Sequence, residues 1–215
     1  MTIAFHPDIA TLMAFSAGTL DEPYAVVVST HLAMCEACRE QLRRTDLIGG
    51  ALLASEPAAP MSMGALDRLL AAADDDAIIV AERPAATSSV PQPLAHYLPD
   101  GLDAVRWRWS GPGVAVADLP TDRSAKGRLM LLRVEAGRKV PEHSHGGQEL
   151  TLLLQGAYRD RFGRFAAGDI ADHDEDVEHQ PIAEPGEVCI CLVAVDAKLS
   201  FRSRIVRLLQ PLFGL

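Results

Sequence analysis

Residues 137–156 read GRKVPEHSHGGQELTLLLQG, and the C-terminal half of the 215-residue chain takes its fold from this stretch. In an extended chain alternate side chains share a face, so His143 and His145 point to one interior. Gly146 and Gly147 then permit a sharp bend. After it Glu149 returns to the same interior, followed by Thr151, Leu153 and Gln155, while Leu150, Leu152 and Leu154 pack the opposite face. A further histidine, His179, arrives after the turn Gly168-Asp169 and before Pro181. Imidazole and carboxylate together suit a divalent first-row metal, which makes His143, His145, Glu149 and His179 candidate ligands of one ion. The plainer alternative is a group of surface polar residues in a β domain. His173, in the acidic segment DHDEDVEH, reads as a solvated loop residue.

Around this stretch the runs VRWRW, VAVADL, RLMLLRV, ELTLLLQG and VCICLVAV are separated by Gly and Pro turns, the pattern of an all-β barrel or sandwich. The spacing is Gly137, five residues, His143-Ser144-His145, three residues, Glu149, six residues, Gly156, and it resembles the first cupin motif in every fixed position. The second motif is looser: Ala166-Ala167-Gly168-Asp169 has Ala where cupins usually have Pro, although His179 with Pro181 fits. The resemblance implies a metal-binding cupin β-barrel. Tetrahedral zinc would have its shell filled by the four side chains, giving a structural or sensory site. Six-coordinate Fe, Mn or Ni would keep two positions open for a dioxygenase or isomerase reaction.

The N-terminal half has a different texture, rich in Ala, Leu and Met and without alternation. It predicts helices over Pro7 to Ala17, Glu22 to Arg43, Asp46 to Ala54 and Met63 to Ala73, the last with Leu66, Leu69 and Leu70 on one face. Arg39, Arg43 and Arg44 are expected near the end of the second helix, where they complement its dipole. The sequence ERPAATSSVPQP, rich in Pro, Ser and Ala, reads as a linker. The expected organisation is thus α plus β in two domains. A small helical bundle occupies residues 1–82, a linker 83–93, a cupin β-barrel 94–198, and a tail that packs on the barrel 199–215. The linker suggests that the two domains can move relative to each other.

Inside the long helical segment lies HLAMCEAC, which places His31, Cys35 and Cys38 at i, i+4 and i+7. On a continuous helix these positions share a narrow arc, so three ligands converge on one tetrahedral ion. A fourth must come from elsewhere, and His6 is the choice because an antiparallel helix pair would bring it alongside. Asp8, Glu36 or water are the alternatives. A thioredoxin-like redox pair would follow a strand in a βαβ unit, whereas helix-forming sequence lies on both sides here. Two core cysteines beside an unrelated histidine remain the other reading.

This H-x3-C-x2-C run, with a histidine about 25 residues upstream, resembles the zinc-binding anti-sigma domain. Joined to a cupin, the whole chain resembles the ChrR-type anti-sigma factors, whose zinc positions fall on His6, His31, Cys35 and Cys38. The cupin ligands fall on that family's second site. The resemblance implies a partner, an extracytoplasmic-function sigma factor, and release on an oxidative signal, singlet oxygen or organic peroxide, that involves the cupin domain.

Composition narrows the partners. A formal charge of -9 disfavours direct contact with a phosphate backbone, so a role in transcription would act through a protein. The start MTIAFHPDIATLMAF has no basic n-region, and no apolar run approaches the roughly 20 residues of a membrane span, so a cytoplasmic protein is expected. Four cysteines in two close pairs favour metal or redox chemistry over structural disulfides. One pair, Cys189 and Cys191, shares a strand face with a Cα separation of about 6.6 Å, and reads as buried inert thiols or as a redox pair. The rival function from another class is a metal-dependent, dioxygenase-like cupin enzyme with an accessory helical domain.

Overall fold

The computed structural model describes residues 2–75, 90–144, 146–174, 177–196 and 200–201. Most of the expected linker, His145 and nearly all of the C-terminal tail therefore lie outside the described residues. Helix α1, Ile9–Ser16, is capped by Asp8, whose carboxylate accepts the Ala10 amide at 2.7 Å. Pro7 stands before it rather than within it. Helices α2, Glu22–Met34, and α3, Glu36–Ser55, occupy the segment expected to be one helix as far as Arg43 and another from Asp46. The chain leaves helical geometry at Cys35, where φ is -113° and ψ is 109°.

That break corrects two further expectations. His31, Cys35 and Cys38 do not share an unbroken helix, on which residues 31 and 38 would stand roughly 10 Å apart along the axis. Arg39, Arg43 and Arg44 lie in the first half of α3, not near its end. Arg39 nevertheless serves a helix terminus, because its guanidinium donates to the Leu32 carbonyl in the last turn of α2 at 2.7 Å. Helix α4 spans Ala65–Asp75 and the short α5 spans Gln92–Ala95. Among the described residues no helix is long and apolar enough to cross a membrane.

Beyond α5 the regular elements among the described residues are β strands apart from a 3-10 turn at Leu102–Ala104. Strands β1, Arg108–Gly111, β2, Val114–Leu119, and β3, Arg128–Val134, form a meander. Then follow β4, His143–Ser144, β5, Glu149–Gln155, β6, Ala157–Asp160, and β7, Gly163–Ala166. The last are β8, Ile170–His173, β9, Glu178–His179, β10, Ile182–Ala183, β11, Cys189–Val195, and β12, Ser200–Phe201. They make a six-stranded sheet in the order β1-β2-β3-β11-β5-β8 and two three-stranded sheets, β10-β6-β7 and β12-β4-β9. This is the all-β architecture that the alternating runs predict and the cupin resemblance implies.

Strand β11 shows why its sequence is an unbroken apolar run. Cys189, Cys191 and Val193 face the barrel interior together with Leu153 and Met130. Leu192 and Ala194 face the other way, with Leu129, Leu131, Leu150 and Leu152. That outer face lies under α2. Val27, Val28, Thr30 and His31 of α2 are fully buried, as expected for a helix covered on several sides. One apolar cluster therefore runs from the helices into the sheet. The described end of the linker joins it, since Val90 is buried and α5 packs on α2. Polar ties reinforce the joint: Tyr24 donates to the Gln148 carbonyl and Tyr97 to the Glu22 carboxylate. Leu192, wholly buried where helix and sheet meet, makes a direct test. Leu192→Ala is expected to cost about 2–5 kcal/mol, read as a lower urea midpoint with an unchanged slope.

Candidate metal centres

Four donor groups of the helical region come together. The ligand atoms of His6, His31, Cys35 and Cys38 all lie within 4.8 Å of one another. Cys38 Sγ is 3.3 Å from both His31 Nε2 and His6 Nδ1, and Cys35 Sγ is 3.5 Å from His6 Nδ1. Zinc bonds of about 2.3 Å to sulfur and 2.0–2.1 Å to nitrogen give a tetrahedral sulfur-nitrogen edge of roughly 3.5 Å. The cluster has the dimensions of that shell. Three of its members are buried, and His6 is the exposed one.

The break at Cys35 brings Cys38 back to His31. His6 arrives by a different route from the one the sequence suggested. It is not on a helix paired with α2 but on the extended segment before α1, which lies on the cupin. There the Ala4 and Phe5 amides donate to Asp169 Oδ1 at 2.7 and 3.1 Å, and the Ile170 amide donates to the Phe5 carbonyl at 3.2 Å. His31 Nδ1 donates to the Gly168 carbonyl at 2.9 Å, which leaves Nε2 facing the sulfurs.

Electrostatics suit a cation at this place. Burial, opposed by the Gly168 hydrogen bond and assisted by nearby His6, lowers the His31 pKa to about 4, so its imidazole is neutral and able to ligate. Burial and the neighbouring Cys35 push the Cys38 thiol up to about 12. Thiols bind a metal as thiolates, so metal uptake at this cluster would release protons and strengthen as pH rises.

A second group lies in the barrel. His143, Glu149 and His179 line one cavity with Tyr158, Cys189 and Cys191. His145, the remaining candidate, lies outside the described residues. His143 and His179 face each other across the β4-β9 pair, with ring centroids 4.7 Å apart. His143 Nδ1 donates to the Pro141 carbonyl at 2.8 Å, and His179 Nδ1 to Asp160 Oδ2 at 2.9 Å. With Nδ1 so engaged, Nε2 is the nitrogen through which either ring would ligate a metal. Burial pushes the Asp160 carboxyl up, but the His179 hydrogen bond and the Phe162 amide overcome it and hold the group below its ordinary value. Glu149 accepts from Thr151 Oγ1 at 2.8 Å.

His173 is not a solvated loop residue. It ends β8, is buried, stands opposite Glu149 in the sheet, and meets the His179 ring edge-on at 4.8 Å. Asp160, His173 and His179 form a second tight group of donors. Strand alternation could have found both additions, because His173 shares a face with buried Ala171, and Asp160 with Tyr158. The acidity of the surrounding segment hid the first. Cys189 and Cys191 do share the interior face, with Sγ atoms 3.7 Å apart.

Fold and site define a class: a cupin joined to a helical region that carries a buried Cys/His cluster able to bind a metal ion. Comparison with known proteins supplies the family. Residues 101–198 match the ChrR cupin-like domain. Over 213 residues, 99% of each chain, the protein is 45% identical to the anti-sigma-E factor ChrR of Cereibacter sphaeroides. Its structure is similar to that of ChrR in the crystal structure of Rhodobacter sphaeroides SigE in complex with the anti-sigma ChrR. That match has a TM-score of 0.78 and 42% identity, over 91% of this chain and 100% of the other. The chain belongs to the ChrR family of anti-sigma factors. It is a regulator and not an enzyme, which sets aside the dioxygenase-like alternative.

Proposed function

We propose that this chain is a cytoplasmic negative regulator of transcription that sequesters an extracytoplasmic-function sigma factor through its helical region, with zinc held by His6, His31, Cys35 and Cys38. The observation that carries the reading is likeness over 99% of the chain to a protein named for its action on a sigma factor. Two thiols and two imidazoles in a closed set, three of them buried, favour zinc in a structural role. Exposed leucines of the helical region support the partner. Leu47, Leu52 and Leu53 of α3 and Leu66, Leu69 and Leu70 of α4 are all more than half exposed. Exposed apolar side chains in this number on two helices mark surface for another protein to cover.

The cupin cavity is, in the same reading, a second site for zinc or another divalent transition metal, held by His143, His145, Glu149 and His179. An oxidative signal, singlet oxygen or organic peroxide, acts there to release the sigma factor. Cys189 and Cys191 are a redox pair available to that signal. At rest its hydrogen bond with Cys189, together with burial, holds the Cys191 thiol well above its ordinary pKa, so that thiol is slow to react. Asp160 orients His179. Asp160→Asn is expected to weaken metal binding at the cavity by about 10- to 100-fold, measured by chelator competition, with the Cys/His cluster unchanged.

The function is tested by passing each extracytoplasmic-function sigma factor of the host over the immobilised full chain and assaying the retained one with core RNA polymerase. The reading expects one sigma factor to form an equimolar complex and to lose its transcription. Retention of none would end it.

A further inference from the structure

We propose that the Gly168-Asp169 turn of the cupin is a positioning element of the helical metal site, so that the affinity of His6, His31, Cys35 and Cys38 for zinc is set in part by the barrel. The proposal rests on the reading of that cluster as a zinc site and adds residues that no ligand spacing reveals.

Three observations carry it. Asp169 is buried, and its carboxylate is divided between two tasks: Oδ1 accepts the Ala4 and Phe5 amides, and Oδ2 accepts the Ala166 amide of its own turn at 2.8 Å. The amides it holds are one and two residues from His6, the ligand that no helix supports. Gly168 holds a second ligand, because its carbonyl accepts from His31 Nδ1 at 2.9 Å and so selects the nitrogen that faces the thiols. The turn is also shaped around the N-terminal segment. Gly168 has a φ of 93°, and a Cβ placed there would sit 2.9 Å from Ile3 Cδ1. Phe5 stacks on Phe165 of β7 with centroids 4.1 Å apart. The segment carrying His6 is thus built into the barrel surface, and the metal shell closes only against it.

The geometry has a consequence for coupling. Strand β8 runs directly from this turn, holds the start of α1 through Asp172, which accepts the Asp8 amide and the Thr11 hydroxyl, and ends at His173 against His179. The four residues of β8 thus run from the turn to the ring packed on His179. Displacement of β8 at the cavity therefore reaches the backbone that positions His6 and His31.

The test uses the full chain with zinc and cobalt(II), comparing wild type with Asp169→Ala and Asp169→Asn. Zinc affinity is read by chelator competition, and ligation by the cobalt d-d bands and the thiolate-to-cobalt charge-transfer band. Asp169→Ala is expected to lower zinc affinity at the thiolate site by about 10- to 100-fold. It should also shift the d-d bands as His6 ligation is lost, while the charge-transfer band persists. Asp169→Asn keeps one accepting oxygen and should fall between, and it carries the test alone if the alanine variant does not fold. Wild-type affinity and bands in the folded variants, with or without a lowered melting temperature, would assign Asp169 a purely structural role and overturn the proposal. A wild-type chain without a thiolate-cobalt band would instead remove the zinc reading on which it stands.

Discussion

Cys38→Ser is expected to remove zinc from the helical region and, with it, most of the affinity for the sigma factor, while the cupin barrel stays folded. Cys38 is the hub of the cluster, since its sulfur lies 3.3 Å from a nitrogen of each histidine. A serine oxygen is a poor substitute for a thiolate, and the remaining three groups make an incomplete shell. Structural zinc supplies about 10–16 kcal/mol to small domains that depend on it, on the scale of the whole stability of about 5–15 kcal/mol of a typical domain. Packing of α2 on the sheet offsets part of that loss here, so the affected elements are the ones α2 does not hold. These are the segment around His6 and the start of α3. The expected result is zinc content reduced by one ion per chain and sigma affinity reduced by at least about 100-fold, which corresponds to roughly 2.7 kcal/mol. Metal analysis and a titration with the sigma factor measure both, and the near-ultraviolet circular dichroism of the barrel should persist.

The second large effect is expected on the apolar face of α4. Leu66, Leu69 and Leu70 are 61%, 64% and 57% exposed, so replacing them removes little packing from the free protein. If a sigma factor covers them, a carboxylate introduced there is buried without a partner. Burial of a central apolar anchor contributes about 2 kcal/mol or more to an interface, and an unpaired charge adds a further penalty. Leu66→Glu with Leu69→Glu is therefore expected to weaken the complex by at least about 1,000-fold, roughly 4 kcal/mol. Zinc content and melting temperature should stay near those of the wild type. An unchanged sigma affinity would move the contact surface away from α4. The pair of predictions separates a defect in the metal-held scaffold from a defect in the contact surface itself.

How far the sequence reveals these centres depends on the distance over which each contact acts. The face shared by Cys189 and Cys191 follows from alternation along one strand, and the common cavity of His143 and Glu149 from alternation in two strands on either side of the Gly146-Gly147 bend. The meeting of His31 with Cys35 and Cys38 follows from close spacing, although the path does not. No Gly or Pro marks the break at Cys35, and the tertiary contacts of α2 and α3 override a helix-favouring sequence. The placement of His6 is further from reach. It depends on hydrogen bonds from Ala4 and Phe5 to Asp169, 165 and 164 residues away in the chain. No local pattern carries a pairing of that length. The burial of His173 lay within reach of strand alternation, but the acidic residues around it resemble a loop. The linker shows the same limit. Its composition is that of a spacer, yet Val90 at its end is buried in the core that joins helices to sheet.

The central claim is that the helical region holds a sigma factor only while its Cys/His cluster holds zinc. The most direct measurement is the affinity of the full chain for its purified sigma factor before and after zinc is withdrawn by a chelator, and again after zinc is restored. Binding is expected to weaken by at least about 100-fold, roughly 2.7 kcal/mol, on withdrawal and to recover on restoration. Equal affinity with and without zinc at that cluster would contradict it.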